Sequence, residues 1–148
     1  MRRALFIICV GTMITVLACC KNDSIEKNKE ENTIVGTWEL RQAQTGMMPT
    51  VNYNPGNGNI LKYTDVNYEM FTNGVLTKSG TFVLVNDTTA QATVGIVVTA
   101  GQFTDRIVYD NDLTAPKKFL QVVNNKLTFL SGYFPLDYGS KTIYERIQ

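Results

Sequence analysis

From residue 33 onward, apolar and polar side chains alternate, the period-two signature of strands buried on one face. In Thr33-Ile34-Val35-Gly36-Thr37-Trp38-Glu39-Leu40, one face takes Ile34, Gly36, Trp38 and Leu40 and the other takes Val35, Thr37 and Glu39. Gly36 leaves space on its face for the large ring two residues later. A second strand is expected over 63–71, with Val66, Tyr68 and Met70 opposite Asp65, Asn67 and Glu69. Asn73-Gly74 marks a tight hairpin, because both central residues of a type I′ turn need positive φ. A third strand follows over 75–85, with a bulge expected near Ser79-Gly80. The fourth, 90–99, alternates Ala92, Val94, Ile96 and Val98 with Gln91, Thr93 and Gly95. Further strands are expected over 103–109, 118–123, 126–130 and 141–147.

The intervening stretches carry turn formers. Residues 42–59 hold Met47-Met48-Pro49 and Asn54-Pro55-Gly56-Asn57-Gly58 and read as one long loop. Asn86-Asp87-Thr88 and Asn124-Asn125 are turns, 110–116 is a loop, and a later loop is aromatic, with Tyr133, Phe134 and Tyr138. About eight consecutive strands at hairpin spacing, with helical periodicity nearly missing, give an all-β domain over 33–148. An antiparallel up-and-down barrel is the most economical closure, since it removes its own edges. A two-sheet β-sandwich is the alternative.

The first 32 residues follow a different pattern. Arg2 and Arg3 precede an apolar run over 4–18, which reads as a targeting signal over 1–19 that does not enter the fold. Residues 20–32 mix Lys, Glu, Asp and Asn with little to bury and read as a flexible charged tether. Of 14 basic and 13 acidic residues, loss of Arg2 and Arg3 leaves 12 against 13, too balanced for a nucleic-acid binder. Cys9, Cys19 and Cys20 all lie at or before the signal's end, which excludes disulfides and thiolate metal sites from the domain. Histidine is absent, removing the commonest general base and metal ligand. Neither a metal site, nor a cofactor, nor an enzymatic constellation is expected. Asp110-Asn111-Asp112 reads as a solvated turn, and Asp105 beside Arg106 as a surface ion pair.

Val16-Leu17-Ala18-Cys19 resembles the lipobox of bacterial lipoproteins, which implies lipidation at Cys19, with Cys20 as the alternative acceptor. Attached acyl chains anchor a protein at about 0.8 kcal/mol per buried methylene. Together with Gly36-Thr37-Trp38-Glu39-Leu40, Phe71-Thr72-Asn73-Gly74, Gly80-Thr81-Phe82 and Tyr144-Glu145-Arg146, the chain resembles the small lipocalin-like lipoproteins of Bacteroidota. The resemblance implies a calycin-type barrel at the cell envelope, on the outer membrane. It also implies that Trp38, beside Gly36, plugs one end and that Arg146 lies over the indole, an arrangement worth ~0.5–2 kcal/mol.

A barrel of this size either fills with its own side chains or holds one small ligand. The expected wall of such a cavity is Leu40, Val66, Tyr68, Met70, Phe82, Val94, Ile96 and Tyr109, with Met47 and Met48 on a lid that re-packs easily. The same residues also read as ordinary core. The expectation is therefore a membrane-anchored binding module for a small hydrophobic ligand. The alternative is a packed barrel that contacts or inhibits an envelope protein partner.

Overall fold

The computed structural model describes residues 32–148. The signal, both acceptor cysteines and nearly all of the tether lie outside the described residues. Within them the chain forms one antiparallel sheet: β1 (Gly36–Thr45), β2 (Val51–Asn52), β3 (Ile60–Tyr63), β4 (Asn67–Thr72), β5 (Val75–Asn86), β6 (Asp105–Tyr109), β7 (Lys118–Val123), β8 (Lys126–Ser131) and β9 (Ser140–Arg146). β2 is a stub beside Gln42 and Ala43. The other eight strands pair in chain order, and β9 returns to β1 from Trp38↔Arg146 to Thr45↔Ser140, closing the ring. The expected up-and-down, lipocalin-like barrel of eight antiparallel strands is the architecture found.

Alternation decides what faces inward. Trp38, Leu61, Tyr63, Tyr68, Phe82, Ile107, Leu120, Leu127 and Phe129 form one buried cluster inside the ring. Both expected tight hairpins form, at Asn73-Gly74 and at Asn124-Asn125, each with two positive φ angles. The end of the barrel with Gly36 and Arg146 is its base, and the end with Thr45 and Ser140 is its rim.

Three expectations need correction. The strand over 63–71 is the end of one strand and most of the next: Thr64, Asp65 and Val66 make the β3–β4 turn, with Thr64 N–H donating to the Asn67 carbonyl at 2.9 Å. The loop over 42–59 is shorter, because β1 continues to Thr45. The bulge falls not at Ser79-Gly80 but where Thr77 is left between the pairs Met70↔Lys78 and Phe71↔Leu76.

The largest correction concerns 90–99, which is no strand. Ala90–Val94 is a short helix, α1, closed by Gly95 in the left-handed region at φ 72°, whose N–H donates to the Gln91 carbonyl. Ala90 and Val94, four apart, share one helical face. That face packs on Phe119 and Leu130, which point outward from β7 and β8, together with Phe103 and Phe134. The segment after β5 is thus a strap across the outside of the barrel, and it forms a second core.

Asp87 pins the strap. Its carboxylate accepts from Thr89 N at 3.0 Å and Thr89 Oγ1 at 2.6 Å, and it pairs with Lys117 Nζ at 2.8 Å and Arg106 Nε at 3.3 Å. Burial alone would raise its pKa; the bonds from Lys117 and Thr89 overcome this and lower it from 3.8 to about 2. A depressed carboxylate stabilises the fold above its unfolded pKa and loses that contribution as pH falls through its folded one. Unfolding free energy should therefore drop between about pH 4 and pH 2, by ~1–2 kcal/mol after solvent screening. Asp87→Asn should flatten that acid limb in urea titrations, and an unchanged limb would show that Asp87 does not carry it.

Candidate functional site

At the base, Trp38 is fully buried and its indole N–H donates to the Ile34 carbonyl at 2.7 Å. The Arg146 guanidinium carbon stands 4.2 Å from the ring centroid. Its Nη2 donates to the Thr33 carbonyl at 2.7 Å, its Nη1 to the Val35 carbonyl, and its Nε to Asn125 Oδ1 at 3.1 Å. Gly36 has φ 138°, and a Cβ there would collide with the guanidinium. The space at Gly36 thus serves the arginine, where the sequence suggested that it serves the indole.

Of the expected cavity wall, Leu40, Tyr68, Met70, Phe82 and Tyr109 lie on inward positions: Tyr68 and Phe82 are core members, Met70 and Tyr109 pack against the core, and Leu40 is buried opposite Tyr144. Val66 does not, being 57% exposed in the β3–β4 turn. Val94 and Ile96 belong to the strap and pack outside the barrel, because a helix takes the place of the expected strand. Met47 and Met48 cover nothing; they are 71% and 67% exposed beyond the rim end of β1.

The middle of the barrel is filled with rings. Tyr63 meets Phe82 edge-on at 5.1 Å, Tyr68 meets Tyr109 at 4.6 Å, and Phe129 meets Tyr144 at 6.1 Å. The Tyr63 and Tyr109 hydroxyls share a hydrogen bond of 2.6 Å. Burial, above all, pushes both phenols above their ordinary range, so both stay neutral.

Space opens toward the rim. β6 and β7 pair only at Asp105↔Leu120, Arg106↔Phe119 and Ile107↔Lys118. Above that point they part, and a cavity of about 380 Å³ lies in the gap. Met70, Lys78, Ile107, Tyr109 and Lys118 line it from within the barrel, and Pro116, Asp110 and Asp112 border it from the β6–β7 loop. Lys78 Nζ is 3.2 Å from Asp110 Oδ2, which also accepts from the Tyr68 hydroxyl at 2.8 Å; Asp110 Oδ1 accepts from Thr81 N–H at 3.1 Å. The Tyr68 bond first, then Lys78, lowers the Asp110 pKa. The expected solvated turn is therefore partly a fixed acid. Lys118 Nζ stands 4.7 Å from the Phe129 ring centroid and 5.9 Å from that of Tyr109. The sequence reading missed both lysines. A second cavity of about 260 Å³ lies near the base, between Ile34, Leu84, Phe103, Asp105 and Leu120.

Elsewhere, Arg106 pairs with Asp87 and not with Asp105, because β6 turns neighbouring side chains to opposite faces of the sheet. Tyr133 and Tyr138 are exposed whereas Phe134 is buried under the strap. Among the described residues no group of three or more acidic side chains is placed to hold a metal ion, and no helix is long and apolar enough to cross a membrane. No family model matches the chain, and no curated protein or solved structure matches it. Its own geometry defines the class: a closed, antiparallel eight-stranded barrel of lipocalin-like form.

Arg146→Met keeps an apolar cover over Trp38 but removes the charge and its bonds to Val35, Thr33 and Asn125. We expect a loss of about 2–4 kcal/mol in urea unfolding followed by Trp38 fluorescence. A loss below ~0.5 kcal/mol would be the value of an ordinary surface site.

Proposed function

We propose that the protein is a binding module, held at the bacterial cell envelope by lipid on Cys19, that takes up a small apolar molecule without turning it over. The observation that supports this most directly is the gap above Ile107↔Lys118, where the closed barrel leaves a cavity of about 380 Å³. That volume lies within the ~300–1,000 Å³ of sites that enclose small molecules. Because rings fill the middle of the barrel, the ligand sits against Met70, Ile107 and Tyr109 near the rim and does not run along the axis. Each Å² of apolar surface removed from water contributes ~25 cal/mol to affinity. The described chain begins beside the base at Asn32, so an anchor upstream of it leaves the rim free to face away from the membrane.

A second reading, a packed barrel that docks an envelope protein, is supported by the rim loops. Met47, Met48, Leu136 and Tyr138 are all more than half exposed, and Gly46 N–H donates to the Gly139 carbonyl at 2.7 Å, which brings the two loops together.

A neutral fluorescent probe, N-phenyl-1-naphthylamine, separates the two. In the first reading its emission rises on mixing with the protein, and Ile107→Trp, which fills the cavity, weakens binding at least fivefold. No rise in emission would leave the docking reading. For the anchor, Cys19→Ala should release the protein from the membrane fraction while Cys20→Ala does not; the reverse result would move the acceptor to Cys20.

A further inference from the structure

Lysines rarely sit on the inward face of a strand without an acidic partner, since an ammonium removed from water is costly unless it is paired. Lys118 does so. It opens β7 on the face of Leu120 and Val122, both directed at the interior. Its amine lies over the rings of Phe129 and Tyr109, and among the described residues it has neither an ion pair nor a hydrogen bond. Of the two other cations that line the cavity, Arg106 is paired with Asp87, and Lys78 stands 5.7 Å from the Tyr109 centroid and is engaged by Asp110. The Lys78 charge repels that of Lys118, and the two carboxylates of the cavity, Asp110 and Asp112, stand at its loop border, with Asp110 on Lys78. Burial first, and Lys78 second, lowers the Lys118 pKa.

The cavity is thus apolar along Met70, Ile107 and Tyr109 and carries one uncompensated positive charge at its inner edge. Ring faces stabilise an ammonium but cannot accept the hydrogen bonds that its three N–H groups offer. An anionic oxygen can.

Resting on the binding function proposed above, we propose that Lys118 is the acid-binding residue of the cavity and that the ligand is a carboxylate with a short apolar body. The carboxylate meets the Lys118 ammonium, with Lys78 adding long-range attraction, and the body lies along Met70, Ile107 and Tyr109. A neutral molecule of the same shape gains only the apolar contact and leaves the ammonium without a partner.

Octanoate and 1-octanol, matched in length, test this by calorimetry on the purified protein. Octanoate should bind at least tenfold more tightly. Lys118→Met should remove that preference while leaving octanol affinity within threefold, and Lys118→Arg should keep most of it. Lys78→Met, which removes a cation already held by Asp110, should weaken octanoate less than Lys118→Met does. Lys118→Met should also raise the thermal midpoint, since it deletes a desolvated, unpaired charge. Equal affinities for acid and alcohol, or a preference that survives Lys118→Met, would overturn the assignment while leaving the cavity as an apolar site. A fall in the thermal midpoint of Lys118→Met would show that the charge serves the fold, which overturns it equally. If neither octanoate nor octanol binds and the naphthylamine probe also fails, the binding function falls, and the assignment with it.

Discussion

The structure depends on one pairing, that of its first strand with its last. β1 is hydrogen-bonded to β9 along its length, and on its other edge to β3 and then to the stub β2. Without β9 the sheet would expose two long edges, each a template for pairing with another chain. The contact joins residues about a hundred positions apart, so loop-closure entropy must be met before it returns any stability, and folding is expected to be slow for the chain's size. The base shows how the pairing is secured. Arg146 bonds to the carbonyls of Val35 and Thr33, Thr37 N–H donates to the Gln148 carbonyl, and the guanidinium covers the indole. The two ends of the domain are thus joined by backbone pairing, a charge and a ring at one place.

Much of this was legible because alternation is a local property. β7 and β8 show it cleanly: Leu120 and Phe129 point in, Phe119 and Leu130 point out, and Asn124-Asn125 sets their register. Alternation fails where it fits two structures at once. Ala92, Val94, Ile96 and Val98 alternate as a strand would, yet Ala90 and Val94 are also one helical turn apart, and Gly95 is where a helix ends in the left-handed region. What decides is remote: Phe119 and Leu130 need cover on the outside of the barrel, and no local pattern carries that demand. Turn chemistry explains the other miss. Thr64 and Asp65 before Asn67 were enough to reverse the chain, and a strand drawn through them placed Val66 on the inner face when it lies in solvent.

The candidate site divides in the same way. Leu40, Tyr68, Met70, Phe82 and Tyr109 were placed by parity within strands, and they do face inward. Met47 and Met48 were placed by the softness of methionine, a property of residue type that says nothing of position, and they are in solvent. Lys118 was passed over because lysine is counted as polar, although its parity with Leu120 and Val122 already put it on the inner face. A charged residue in phase with a buried stripe is the signal that could have found it. Lys78 was less accessible, since the bulge at Thr77 shifts the register ahead of it.

The distribution of tyrosine explains why the middle of the barrel is closed while a cavity survives near the rim. Phenylalanine alone would fill the ring without hydrogen-bonding demands, but Tyr63, Tyr68 and Tyr109 each bring a hydroxyl that must find a partner when buried. Tyr63 and Tyr109 satisfy each other, and Tyr68 reaches Asp110 at the start of the β6–β7 loop. These bonds fix Tyr109 and Asp110 in place, and Asp110 in turn holds Lys78. They also hold the upper part of β6, which has no β7 partner above Ile107. A gap in a sheet would ordinarily be a weak point. Here it is braced by two phenols and a carboxylate, so the opening beside Lys118 is a fixed feature of the wall, and a ligand entering it need not first organise the strand that it meets.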